Sequence, residues 1–447
     1  LEEGMAILVS NGQVWLESKL QQVSILIDEG GKVAGIYSPN QVIAEQISET
    51  LDASGQIVLP GGLDMHAHLQ DGAETFHQGT CAAAAGGITT VVDMPPFHTC
   101  ATRAGCLERK RLAEEECVVD FMLGGGIVVA MEDLEEIEAV AQLGAPYFKV
   151  FMPADPPVDT ALLWASVQAA AHTGLRMAIH AEETACLLPE VNWDDPLGFA
   201  RARPVVAESS ATAQVLEMAL AAGAPVHITH VSAGRTAELI ESYQAWGADA
   251  TAETTPHFLL LEESAFAEQG ARVMTTPPLR SESDREILWQ AIQDDVITAL
   301  VSDHYLDKLP QPNIAVKSMR ETEPGIAGVE LSLPLLYDAG VVSGRISLQR
   351  FVELISRGPA EILGIAGHKG TISIGADADL VFLDPHAHWT VSDLGPFSRA
   401  STLPYQGWGL HGRVTRTVVR GQTIWNGDAI LAERGYGRFM ARGKLPL

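Results

Sequence analysis

IVLPGGLDMHAH, residues 57–68, is an apolar run that reads as a buried strand and ends in two histidines one residue apart. Seven more runs of the same kind follow: ITTVVDMP (88–95), DFMLGGGIVV (120–129), APYFKVFM (145–152), LRMAIHAE (175–182), PVHITHVS (225–232), ADATAETTPHF (248–258) and ITALVSDH (297–304). Between them lie stretches with apolar residues at helical spacing, such as EDLEEIEAVAQLG, ATAQVLEMALAAG and DREILWQAIQDD. Strand and helix alternating in this way predict an α/β fold, a (β/α)8 TIM-like barrel. Such a barrel takes about 250 residues, so a chain of 447 has room for a second, smaller domain.

The flanks have a different rhythm. Residues 5–60 alternate apolar stretches with turn signals, among them the pairs Asn11-Gly12 and Gly30-Gly31. The same style returns near the other end in GTISIGADADLVFLDP and GRVTRTVVRGQTIWNG. We therefore expect a discontinuous β-sandwich domain built from residues 1–56 plus 367–447, around a barrel spanning 57–366.

Composition excludes several classes of function. Hydrophobic residues make up 47% and charged residues 19%, which suits a large core and argues against disorder. With 29 basic against 57 acidic residues the net charge is −28, which repels phosphate backbones and anionic membranes. No nucleic-acid or membrane partner is expected, and no apolar run reaches the length of a membrane span. The five cysteines are scattered without a CxxC pair, as reduced thiols would be, so the cytoplasm is the expected compartment. The opening LEEGMAIL lacks the charge and apolar pattern of a signal peptide; Leu1 to Gly4 read as an added leader before a native Met5.

Chemistry-bearing residues gather at the C-terminal ends of the predicted strands. His66 and His68 follow the first, at i and i+2, the spacing that puts two side chains on one side of a strand. Lys149 lies on the fourth, His180 on the fifth, His230 on the sixth and Asp303 on the eighth. Each has a plainer alternative: half-buried strand histidines, hydrogen-bonded core histidines, a snorkelling lysine, a helix-capping aspartate. In a barrel, however, these ends converge on one mouth, where active sites of this fold are built. A lysine inside YFKVFM is costly to bury charged. Desolvation favours its neutral amine, which can react with CO2 to give an anionic carbamate able to bridge two metals.

These motifs make the chain resemble the cyclic amidohydrolases of the amidohydrolase superfamily, the group of allantoinases, dihydroorotases and hydantoinases or dihydropyrimidinases. The resemblance runs through PGGLDMHAHL, GTCAAAAGGITTVVDMP, FKVFM, IHAEE, ARPVVAE, HITHVS, AETTPHFLLL, TTPPLRSESDRE, VSDH, PGIAGVE and KGTISIGADADLVFLDP. It implies two divalent metal ions, zinc suiting the donor set. His66 and His68 would hold one, His180 and His230 the other, and N6-carboxylated Lys149 would bridge them. Asp303 would be a metal ligand beside the first ion and the catalytic acid/base. The second histidine of HITH, His230 rather than His227, matches the family ligand. The resemblance also implies a homotetramer or homodimer.

Substrate choice is read from departures within the family. Dihydroorotases carry an arginine two residues after the second histidine of HxH; here that position is Gln70, which removes a bidentate partner for a carboxylated ring. Hydantoinases place a tyrosine five residues beyond the lysine; here that position is Ala154. The pattern sits nearest allantoinase, so a small cyclic ureide, allantoin first, is the expected substrate, with another hydantoinase, dihydropyrimidinase or dihydroorotase ring as the alternative. Gln70, His98 and Thr276 are the candidate substrate contacts. Two further readings differ in kind: a one-metal deaminase, disfavoured by Lys149, and a metal-free scaffold, disfavoured by retention of all six ligand types.

Overall fold

The computed structural model describes residues 6–39, 41–95, 102–306, 319–391, 397 and 403–443. The N-terminal part forms β1 (Ala6–Ser10), β2 (Gln13–Leu16), β3 (Lys19–Gln22), β4 (Ser24–Ile27), β5 (Val33–Tyr37), β6 (Ile47–Asp52) and β7 (Ile57–Pro60). The central part supplies β8 (Gly62–Ala67), β9 (Ile88–Asp93), β10 (Asp120–Leu123), β11 (Ile127–Val128), β12 (Tyr147–Phe151) and β13 (Arg176–His180). It continues with β14 (Val226–Ile228), β15 (Ala250–Thr254) and β16 (Ala299–Leu300); β17 (Leu380–Thr390), β18 (Gly409–Val419) and β19 (Gln422–Trp425) follow near the C-terminus. The fold is α/β with a second, all-β unit, and every one of the eight apolar runs contains a strand.

Both ends of the chain meet in one sheet. The six-stranded sheet runs β19-β18-β17-β7-β2-β3 and faces a four-stranded sheet, β5-β4-β1-β6. Alternating side chains such as Val9, Val14, Ile25, Ile27, Leu380 and Phe382 fill the core of this unit. The two turn signals have a backbone cause. Asn11 has φ 65°, and Gly31 has φ 75° with the Arg420 carbonyl oxygen only 2.2 Å from where a Cβ would stand. The first apolar run is divided: Ile57–Pro60 pairs with β17 and β2 in the terminal sheet, and the next strand starts only after Gly61. A Cβ at Gly61 would meet Thr89 Oγ1 at 2.2 Å, so the junction needs this residue. Continuous apolar character hid the break, because both halves are fully buried.

The central strands are parallel, in ladders β8-β9-β10 and β11-β12-β13-β14-β15-β16. Between β10 and β11 three glycines interrupt one run; Gly124 N–H reaches the Asp93 carbonyl at 2.9 Å and Gly125 N–H the Tyr147 carbonyl at 2.7 Å. At the other margin Ala67 bridges His304, and His68 N–H donates to the His304 carbonyl at 2.7 Å. Helices fill the intervals. Thr160–Thr173 is typical: Asp159 caps the Leu162 N–H, Gly174 at φ 65° ends it, and Leu162, Leu163, Val167 and Ala170 are buried. Burying each large aliphatic side chain contributes roughly 1.5–3 kcal/mol. No helix among the described residues is long and apolar enough to cross a membrane.

The terminal unit is tied to the central one by buried charges. Lys369 Nζ lies 2.5 Å from both Asp120 Oδ2 and Asp379 Oδ2 and 3.0 Å from Asp377 Oδ2. Arg420 also pairs with Asp120, and Lys32 with Asp377. Asp120 opens β10, so this cluster grips the central sheet directly.

Candidate metal centre and its cavity

The six residues singled out at strand ends all line one cavity of about 480 Å³: His66, His68, Lys149, His180, His230 and Asp303. Parallel strands bring this about, because their carboxyl ends share one side of the sheet. Two of the six sit in strained backbone, His230 at φ 37° and Asp303 at φ 47°. A non-glycine residue there costs on the order of 1–3 kcal/mol, and such strain concentrates where side chains are aimed at a site.

His66 and His68 both turn Nε2 toward Asp303 Oδ1, at 3.2 and 3.7 Å. Ligand atoms of these three residues lie within 4.8 Å of one another, a group that can hold a metal ion. Across the cavity His180 Nδ1 and His230 Nε2 are 3.0 Å apart. The His66 and His230 rings are 5.3 Å apart, which makes the two groups neighbours. Lys149 is buried on the same cavity, with Nζ 3.2 Å from Thr229 Oγ1.

Carboxylates stand behind the imidazoles. Glu253 accepts from His66 Nδ1, Asp71 Oδ2 lies 3.2 Å from His68 Nδ1, and Glu182 Oε2 lies 2.6 Å from His180 Nε2. A carboxylate on one ring nitrogen fixes the tautomer and leaves the other nitrogen free for a metal. In each of the three, the free nitrogen is the one that faces the cavity group. Among the described residues His230 has no such carboxylate; its Nδ1 is buried there without a partner and its Nε2 faces His180. Glu253 also bonds His227 Nε2 at 3.0 Å, which gives the first histidine of HITH a supporting place.

Burial sets the protonation states. It pushes Lys149 down to about 8, although Glu253 and Asp303 pull the other way. Burial also lowers His66 and, well below the usual imidazole value, His230, the latter helped by His180 and Lys149. Neutral imidazoles are the metal-binding form. Burial would raise Glu182, but His180 and Arg203 outweigh it and hold the carboxyl down to about 2.

The three candidate substrate contacts fare differently. Thr276 lines the cavity. Gln70 is exposed and does not line it; its Oε1 accepts the Phe76 N–H at 3.1 Å, at the start of helix Phe76–Ala85. His98 lies outside the described residues. Lining residues that sequence reading passed over include Phe151, Arg203, Tyr305 and Glu323. Glu182 had a signal, a carboxylate at i+2 from His180. Arg203 stands in the ARPVVAE stretch but no spacing ties it to the other residues; besides lining the cavity, its Nε meets Glu182 at 3.1 Å.

A model of the amidohydrolase family matches residues 57–424. The chain belongs to that family. It is 31% identical to a D-hydantoinase of Ralstonia pickettii, covering 98% of this chain and 99% of that protein. It is 30% identical to a D-phenylhydantoinase of Escherichia coli, covering 98% of both. Among solved structures it superposes on the dihydropyrimidinase of Brevibacillus agri with a TM-score of 0.88 at 28% identity, covering 99% of this chain and 100% of the other. The L-hydantoinase (dihydropyrimidinase) of Arthrobacter aurescens gives 0.89 at 30%, with 98% and 99% covered. These amidohydrolase relatives are named hydantoinases and dihydropyrimidinases rather than allantoinases, so the comparisons do not support the leaning toward allantoinase.

Proposed function

We propose that the protein opens a cyclic ureide of the hydantoin or dihydropyrimidine type by hydrolysing a ring C–N bond. The observation that carries this reading is Lys149, buried among four histidines and an aspartate on a single cavity. The ring class is supported by relatives of nearly full length that carry hydantoinase names. In the same reading strands β8–β16 close as a (β/α)8 barrel with the site on its carboxyl rim, beside a β-sandwich made by the chain ends. Activity in the cytoplasm as a homodimer or homotetramer completes it.

The donor set fits two divalent ions. His66, His68 and Asp303 would hold one and His180 and His230 the other, with N6-carboxylated Lys149 between them; the nitrogen-rich set suits zinc. Such ions supply an activated water at neutral pH and polarise the ring carbonyl. The chain's own groups do the rest. Glu253, Asp71 and Glu182 hold the imidazoles in orientation. Asp303 accepts the proton from the attacking water as the C–O bond forms. It then delivers that proton to the ring nitrogen as the C–N bond breaks, which leaves a neutral nitrogen and a carboxylic acid that ionises by releasing the second water proton to solvent. Phe151, Pro153 and Tyr305 give the ring apolar walls, and Thr276 offers a hydroxyl.

One observation favours allantoin as a second reading: the position that carries a tyrosine in hydantoinases is Ala154, which is buried and lines no part of the cavity. Turnover of hydantoin, dihydrouracil, allantoin and dihydroorotate by the metal-loaded protein decides between them. Hydantoin or dihydrouracil should open; allantoin alone would replace the ring assignment, and no turnover with full metal content would remove the proposed activity.

A further inference from the structure

A second histidine pair stands on the hairpin of β17 and β18, away from the cavity. His388 and His411 are directly opposite one another in the antiparallel register. Cross-strand neighbours bring their Cβ atoms to about 4.5–5.5 Å, and here the ring centroids are 4.0 Å apart with planes at 69°. Asp338 supports one ring from behind: its Oδ1 accepts from His411 Nδ1 at 2.8 Å and from the His411 backbone N–H at 3.0 Å. That bond assigns the proton to Nδ1 and leaves the Nε2 lone pair available, the same carboxylate–histidine arrangement that orients metal ligands elsewhere. His388 is exposed, and no hydrogen bond to a described residue occupies its ring.

We propose that His388 and His411 form a surface site for a divalent transition-metal ion such as Zn2+, Ni2+ or Cu2+, with water completing its coordination. Two imidazoles select these ions over Mg2+ and Ca2+, which take oxygen ligands. The net charge of −28 raises the local concentration of any cation at the surface. The ion would staple β17 to β18 where the register slips between Asp384 and His388. Neither histidine lines the cavity, so the site is independent of the ureide-hydrolase reading.

Equilibrium dialysis of the metal-loaded protein against Zn2+, with bound zinc counted by plasma mass spectrometry, tests this against His388→Ala and His411→Ala. Both replaced side chains are partly or fully exposed, and circular dichroism checks that the variants keep the fold. The protein should hold one zinc more per chain than either variant, and Asp338→Asn should weaken that zinc about tenfold or more. Mg2+ at the same concentration should not fill the site. Equal zinc content in all three proteins, or Mg2+ bound as well as Zn2+, would overturn the assignment.

Discussion

Replacing Lys369 by methionine keeps most of its stem volume and deletes one buried charge. Its amine is fully buried, with Asp120 and Asp379 oxygens at 2.5 Å and Asp377 at 3.0 Å. After the change Asp120 retains Arg420 and Asp377 retains Lys32, but among the described residues Asp379 keeps only the Arg420 backbone N–H. Burial already raises the Asp379 carboxyl against the pull of Lys369. Breaking a buried pair by removing one partner costs about 3–5 kcal/mol, roughly a hundredfold to several thousandfold in the folding equilibrium. With a urea dependence of about 3 kcal/mol per molar, the unfolding midpoint should fall by about 1–1.7 M. Adding Asp379→Asn should recover a good part of that loss, since removing both partners is far less harmful than removing one. A midpoint shift under about 0.3 M, or a double variant no better than the single, would refute the view that this cluster holds the terminal unit to the central sheet.

Four further outcomes follow from the same geometry. Asp303→Asn should lower kcat by about 10²–10⁴-fold, the size of a lost general acid/base; unchanged kcat on the ring that the protein opens would remove that role. Lys149→Met should fold, since it keeps most of the stem volume and removes an amine that is costly to bury, yet bind fewer metal ions per chain by mass spectrometry than the native protein. Glu182→Gln should weaken metal binding about 10–100-fold by loosening His180, read as the chelator concentration that strips half the metal. Burial would raise Asp377, but Lys369 and Lys32 outweigh it and keep its folded value below the usual one. Its contribution to stability is therefore complete above the usual carboxylate range and lost as pH falls through the depressed folded value. Asp377→Asn should accordingly flatten the acid limb of an unfolding-midpoint-versus-pH curve.

The fold was legible to the extent that it is periodic. Each of the eight runs holds a strand because a strand buried on both faces must be apolar throughout. The same property concealed the break at Gly61, where Ile57–Pro60 leaves for the terminal sheet. The six candidate donors were legible because all are residue types that are expensive to bury and fall at strand ends. Gln70 does not line the cavity: two residues beyond His68 on an extended strand it would share the histidine's side, but the chain turns there with φ 59° and the amide serves the Phe76 N–H instead. Thr276 lines the cavity, though sequence offered only its loop position.

What the sequence determined alone is the alternation of strands and helices and the residue types at the strand ends, since both follow from contacts within a few positions of one another. Tertiary structure decided the pairings that span the chain. Glu253 stands behind His66, Arg203 behind Glu182, and Lys369 between Asp120 and Asp379. Such pairs leave no local spacing to read; they exist because parallel strands far apart in sequence deliver their ends to one side, and because buried charges are stable only where an opposite charge meets them.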